Sequence, residues 1–434
     1  MTTYRKQGIR SLICVLLLAT NLPVANAAQS WTLDNSIRRV LDVAPEFSAS
    51  QQMIQLREDE QQQANLWPNP EIEIRADESM GLDDGSGGYD VNELRISQPI
   101  PFKRLSHQKN QAQASLLASQ SKKMQQQLML EHKTALLYHQ LQLEIALYDL
   151  SQQRLQVAER FMREQHKNSN QLVRYLTPLE QKRLAILRES ARQASTRAEG
   201  KLNEAASQFS ILLNLQADQQ TTPQLASLEL MFEKLDLQAL KQQLAEHPQL
   251  QLKQHQVDAA QAGIEVANAS RYKDPTVNLF IEQDRFNNQS ETYSGISLSM
   301  ELPLWNSNRR AQSVARAELI NARTEHELQL RELNSQLQQS YMHYAHLLEQ
   351  QKAYRSQLLT PAKQMFELSR ESFAAGEENI LGLIDSHNSY FEIHAGYLDI
   401  LASIAQELAH LRYAAGLSLL GTADMSELQP GVAQ

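Results

Sequence analysis

The chain holds a single cysteine, Cys14, among 434 residues, with 14 glycines, 13 prolines and only 6% aromatic residues. One cysteine excludes an internal disulfide and any multi-thiolate metal site. So few turn-formers and rings argue against an enzyme core of mixed layers and leave long helices as the main material. Beyond the N-terminus no apolar run reaches the ~18 residues that a membrane-spanning helix needs. Positive charge is also scarce. The 41 Lys and Arg against 50 Asp and Glu give a formal net charge of −9, which excludes nucleic acid as a partner. No nucleophile–base pair, phosphate loop or paired-carboxylate motif stands out, so neither catalysis nor a cofactor has sequence support.

The one apolar run is N-terminal. Arg5, Lys6 and Arg10 precede LICVLLLA, and Ala25-Asn26-Ala27 supplies a small-residue cleavage site, so residues 1–27 read as a signal peptide. Cys14 lies inside that run, where lipoprotein processing would not use it, and is expected to leave with the signal. The exported chain then has no thiol and no lipid anchor. Loss of three basic residues takes its net charge to about −12.

What is present is a segment that occurs twice. WPNPEIEIRAD from Trp67 leads through a Gly-rich stretch to NELRISQPIPFKR. YKDPTVNLFIEQD from Tyr272 leads through RFNNQSETY to SGISLSMELPLWNSNRR, about 205 residues further on. Each copy reads as two alternating strands joined by a polar loop. Ile72, Ile74 and Ala76 alternate with Glu71, Glu73, Arg75 and Asp77, and Leu94 and Ile96 with Glu93, Arg95 and Ser97. Ile296, Leu298, Met300 and Leu302 alternate with Ser297, Ser299 and Glu301, while Phe280 breaks the pattern of its own strand. Runs of about 9 residues with one apolar and one charged face suit a tilted strand between lipid and water. Four strands cannot close a barrel, because about 8 is the smallest that spans a membrane, so several chains are expected to share one. A soluble sheet with one wet face is the plainer alternative.

Around each hairpin the pattern turns helical. Residues 31–66 and 236–271 each carry a proline, Pro45 and Pro248, placed to start a second helix. Residues 104–166 and 309–373 each read as one uninterrupted helix of roughly 95 Å, at 1.5 Å per residue. Shorter helices follow over 177–213 and 379–417. Leu330, Leu333, Leu337, Tyr341, Tyr344 and Leu348 step by 3 and 4, as do His394, Leu398, Leu401, Ala405 and Leu408, which is coiled-coil spacing. The chain thus divides into a signal (1–27), a first repeat (28–235, hairpin 69–100), a second repeat (236–421, hairpin 275–304) and a C-terminal tail (422–434). The expected fold class is mainly α with a small membrane β part.

The order helix, hairpin, very long helix, turn, shorter helix, given twice, resembles the TolC-like outer membrane efflux family. The stretches that carry the resemblance are WPNPEIE, SQPIPF with MELPLW, AAGEENILGLIDSHNSY (374–390) and LRYAAGLSLLG (411–421). It implies a homotrimer with a roughly 12-stranded β-barrel in outer-membrane lipid, continued by a periplasmic coiled-coil barrel. It also implies a periplasmic adaptor (membrane fusion protein) and an inner-membrane RND pump as partners, in a Gram-negative cell. WPNPEIE is most similar to the cobalt-zinc-cadmium resistance branch, which makes heavy-metal cations the expected cargo, with drugs or secreted polypeptides as the alternative. A structural periplasmic coiled-coil protein is the reading of another class.

The resemblance also assigns sites. The polar strand residues Glu71, Glu73, Arg75, Glu93, Arg95, Ser297, Ser299 and Glu301 would face the lumen. Trp67, Phe102, Tyr272 and Trp305 would cluster at the periplasmic interface, where rings sit between hydrocarbon and water. The periplasmic tip would be Gly376, Glu377, Glu378 and Asn379 in the second repeat and Asn168 and Asn170 in the first. Asp385 matches one of the family's entrance aspartates, and Gly382 stands where the other would be. His343 and His346, at i, i+3, could make at most a two-ligand site and so assign no metal.

Overall fold

The structure, a computed structural model, describes residues 31–79, 89–167, 177–215, 235–286 and 289–420. The signal peptide, the loop of the first hairpin, the first tip with Asn168 and Asn170, and the C-terminal tail lie outside the described residues.

The elements run α1 (Leu33–Val43), α2 (Pro45–Gln63), β1 (Glu71–Ser79), β2 (Tyr89–Pro99), α3 (Arg104–Lys167) and α4 (Pro178–Leu212). The same order then recurs as α5 (Leu237–Gln243), α6 (Pro248–Ala269), β3 (Thr276–Phe286), β4 (Gln289–Ser299), α7 (Arg309–Tyr354), α8 (Thr360–Ala375) and α9 (Ile380–Ala414). Pro45 and Pro248 each open a helix, where the missing N–H has no carbonyl to meet anyway. Thr177 and Glu180 form a reciprocal capping box at the start of α4.

The four strands form one antiparallel sheet in the order β1-β2-β3-β4, so β1 and β4 are its edges. Register aligns the apolar residues into rows. Ile72 faces Ile96, Ile96 faces Leu279 and Leu279 faces Ile296; the next row is Ile74, Leu94, Ile281 and Ser294. Cross-strand partners share a face, so this face is apolar across the sheet while the other carries the charges. Phe280 departs from the pattern for a local reason. It sits on the polar face opposite Gly295, and its ring fills the space that a side chain there would take.

Helix α3, at 64 residues, is the hub. It packs against α1, α2 and α4 of its own half and against α6 and α9 of the other, while α7 lies between α6 and α9. The seams bury the residues that coiled-coil spacing selects. Leu333, Leu337 and Tyr344 of α7 meet Ile404 and Leu411 of α9, and Tyr138 and Leu141 of α3 meet Leu202 and Phe209 of α4. Leu330 is the exception and stays 37% exposed. One buried carboxylate also joins the halves. Glu131 on α3 accepts from the Leu419 N–H at 2.7 Å, the Ser418 hydroxyl at 2.8 Å and the Gln127 amide at 2.8 Å.

Two expectations need correction. The helix over 309–373 is not uninterrupted: a π-helical turn, Arg355–Leu359, separates α7 from α8. The cause is Pro361, whose ring removes an N–H from the ladder. The extra residue of the π turn is absorbed where the Thr360 N–H and hydroxyl both reach the Arg355 carbonyl. The strand expected to run to Leu302 ends at Ser299. Pro303 cannot donate to a sheet ladder, so Met300, Glu301 and Leu302 belong to the connection.

Candidate functional site

Three places carry the residues singled out by sequence. The first is the polar face of the sheet. Glu73 stands opposite Arg95, and Arg75 opposite Glu93. Glu93 is 4% exposed, with Arg95 Nη2 at 2.6 Å and Arg75 Nε at 3.5 Å; Arg95 Nη1 also reaches Glu73 at 3.7 Å. A carboxylate so enclosed is stabilised only by such partners. On the neighbouring strands the Asn278 amide donates to the Ser297 hydroxyl at 3.1 Å. Glu71, Ser297 and Ser299 share this face by alternation. Glu301 lies past β4 and pairs with Lys273 at 2.6 Å.

The second place is the end of the sheet where the helices begin. Antiparallel order brings the starts of β1 and β3 and the ends of β2 and β4 to the same end. Trp67, Phe102, Tyr272 and Trp305 flank those four points and are 57%, 78%, 52% and 95% exposed, so none of them serves as core at the strand–helix junction.

The third is the turn between α8 and α9. Gly376 adopts φ +82°, a left-handed conformation that glycine takes without strain. Its N–H bonds the Phe373 carbonyl at 3.1 Å and the Glu377 N–H bonds the Ser372 carbonyl at 2.9 Å, the two bonds of a Schellman stop. Asn379 caps α9, its side-chain oxygen accepting from the N–H groups of Leu381 and Gly382 at 2.9 and 3.0 Å. Glu377 is exposed. Glu378 accepts from the Ser369 hydroxyl at 2.6 Å, and its carboxylate lies across Gly382, where any Cβ would collide with it. Asp385 is exposed on α9.

Sequence reasoning put His387 and His394 in a helix seam but did not foresee the aromatic cage behind this turn. His387 is fully buried, caged by Phe161 of α3, Phe366 of α8 and Phe391 of α9 at ring-centroid distances of 6.0, 5.8 and 4.9 Å. Burial first, and then the nearby Arg154 cation, lower its pKa to about 4, although the Asn388 side chain and the Arg154 backbone favour the proton. Arg154 itself donates to Asn388 at 2.8 Å. A second pair, His132 of α3 and His410 of α9, meets nitrogen to nitrogen at 2.9 Å, and burial lowers the His132 pKa to about 4. Only the aromatic spacing around 366–391 could have flagged the first cage. His343 is held by Glu407 at 2.9 Å, and among the described residues no group of three or more His, Cys, Asp and Glu could hold a metal ion. Likewise none of the described helices is long and apolar enough to cross a membrane.

Comparison with solved structures gives the fold, which is similar to that of several outer-membrane proteins. The open-state MtrE outer membrane channel of Neisseria gonorrhoeae superposes with a TM-score of 0.70 at 17% identity, over 89% of this chain and 89% of that one. CusC superposes with a TM-score of 0.68 at 17% identity, over 89% and 92%. The outer membrane protein VceC of Vibrio cholerae gives 0.69 at 13% identity, over 89% and 96%. By sequence, residues 239–417 match the model of the outer membrane efflux protein family. No curated protein matches the chain by sequence.

Proposed function

We propose that this protein is the outer-membrane channel of a tripartite efflux system. Three chains pool their sheets into one β-barrel and range their helices into a tunnel through the periplasm. An inner-membrane RND pump and its periplasmic adaptor supply energy and cargo, and the channel itself is a passive conduit. The observation that carries this reading is the sheet. One face presents Ile72, Ile74, Leu279, Ile281, Ile296 and Leu298 at 54–80% exposure, the other presents charges, and both edges are open. In water the apolar rows would be an uncovered patch. In lipid the edges would leave backbone groups unpaired. Closure with further copies answers both. The superpositions over about nine-tenths of the chain support the reading.

The WPNPEIE stretch supports heavy-metal cations as cargo, with drugs or secreted polypeptides as the competing choice. The test is the mass of the detergent-solubilised protein together with heat-modifiable migration. Three chains that convert to one on heating are expected, and a stable membrane-inserted monomer would overturn the proposal. Sensitivity of a deletion strain to zinc, cobalt and cadmium, set against lipophilic drugs, decides the cargo.

A further inference from the structure

We infer that the junction between sheet and helices is a collar that binds anionic phospholipid headgroups; this rests on the outer-membrane reading above. The two connections that leave the sheet, and the one that enters β3, place six cations at this end: Lys103, Arg104, Arg271, Lys273, Arg309 and Arg310. Two carboxylates lie in these connections, and both are spent internally; Glu71, at the start of β1, belongs to the charged face of the sheet. Arg104 holds Asp274 at 2.6 Å, bracing the first hairpin against the second, and Lys273 holds Glu301 at 2.6 Å. No carboxylate among the described residues pairs with the exposed Lys103, Arg271, Arg309 or Arg310. The Arg271 guanidinium lies 5.4 Å from the centre of the exposed Tyr272 ring.

This patch is local, because the chain as a whole carries −9. It is also polar along the barrel. At the far end of the sheet the register sets Asp77, Asp284 and Glu291 in one row across the strands, with Arg285 beside them, so the described residues there are mainly acidic. Along the chain away from the sheet, the apolar rows are followed by exposed aromatic rings (Phe102, Tyr272, Trp305) and then by exposed cations (Lys103, Arg271, Arg309). That is the order of acyl chain, ester region and phosphate in one leaflet. Cations just outside the hydrocarbon attract anionic lipid and are screened by salt. The observations therefore favour a phosphate-bearing headgroup with net negative charge over a zwitterionic one.

The chain's own tryptophans report on this site. Of its three, Trp67 and Trp305 stand in the collar, and Trp31→Phe removes the third. The full-length protein is reconstituted in mixed bilayers of phosphatidylglycerol and phosphatidylcholine, with one or the other lipid brominated, and tryptophan quenching is read. Brominated phosphatidylglycerol is expected to quench several-fold more than its mole fraction predicts. The excess should shrink in about 1 M salt, where screening acts over some 3 Å. It should vanish when Lys103, Arg271, Arg309 and Arg310 are all changed to Gln, while quenching by brominated phosphatidylcholine persists. Changing the exposed Lys182, Arg197, Arg316 and Arg323 to Gln should leave it intact. Equal quenching by the two lipids, or an excess that survives salt and the collar variant, overturns the inference and leaves the channel reading standing. Quenching by neither lipid overturns both.

Discussion

A methyl group built on Gly295 would stand 2.5 Å from Cζ of Phe280, its cross-strand partner. The far end of the aromatic ring reaches over the glycine on the charged face of the sheet, in the row that runs through Arg95. The pair is one unit: the ring covers backbone that a side chain would otherwise cover, and the glycine makes room for the ring. Gly295→Ala is expected to cost about 1 kcal/mol, the low end of overpacking, because the far end of a ring can swing aside. In a Phe280→Ala background the same change should cost almost nothing. The temperature at which the folded species converts on a semi-native gel measures both. Additive effects would mean the two residues are not coupled.

The register also assigns faces to β4. Leu298 stands opposite Val277, beside the Ile296 row, whereas Ser299 shares the face of Ser297 and Asn278. An arginine on a lipid face costs about 2–4 kcal/mol at mid-bilayer and much less on the lumen side. The cost falls toward the interface, so Ile296→Arg, deeper in the strand than Leu298, should reduce the amount of assembled channel in outer-membrane fractions, and Ser299→Arg should not. Equal loss from both would place the faces the other way or the strand outside lipid.

Much of this was legible because strand alternation and helix seams are written in residue type. Ile72, Ile96 and Leu279 fall in one row as their spacing demands, and Leu333, Leu337 and Tyr344 fall in one seam. What was not legible depended on single residues acting against their surroundings. Pro361 lies in a strongly helical stretch and forces a π turn, which no periodicity shows. Pro303 ends β4 before its apolar alternation runs out. Glu131 looks like an ordinary residue of a polar helix, and only the packing of α3 against α9 takes it out of water. Phe280 read as an exception because its reason, Gly295, sits 15 positions away on another strand.

The turn from α8 to α9 sets the next expectation. Asp385 is an exposed carboxylate on α9, two residues before the buried His387. In a trimer, symmetry would bring three copies of that carboxylate toward one axis. Carboxylates gathered in a narrow neck attract cations, so a multivalent cation should obstruct it. Asp385→Asn should weaken block by a trivalent cation severalfold in single-channel recordings and leave trimer formation intact. Glu378→Gln is the informative companion, since Glu378 is tied to Ser369 over Gly382 and points its charge along its own turn. Undiminished block in the Asp385 variant would make Asp385 a solvated surface charge.

The last expectation concerns acid. His387 sits where α3, α8 and α9 meet, faced by Arg154 and Phe161 from α3, Phe366 from α8, and Asn388 and Phe391 from α9. No carboxylate acts on it, and Nε2 makes no hydrogen bond of ordinary geometry. Its pKa falls to about 4 in the packed helices, so packing favours the neutral ring. Opened helices would return it to about 6.5. The stabilisation is therefore complete above pH ~6.5 and fades as pH falls from there toward 4, by a total of about 3 kcal/mol at 1.36 kcal/mol per pH unit. His394, also lowered by burial and then by Lys363, titrates in the same direction two turns along α9. Amide exchange across 380–400 should therefore quicken between pH 7 and pH 4.5 beyond the intrinsic rate change. His387→Leu should reduce that acid effect, and His387→Leu with His394→Leu should abolish it, while the α1–α3–α4 seam around Leu141 and Phe209, where burial also lowers His139, should keep its own acid response unchanged in both variants. Acid loosening that persists in the double variant would assign the sensitivity to His132 and His410 instead.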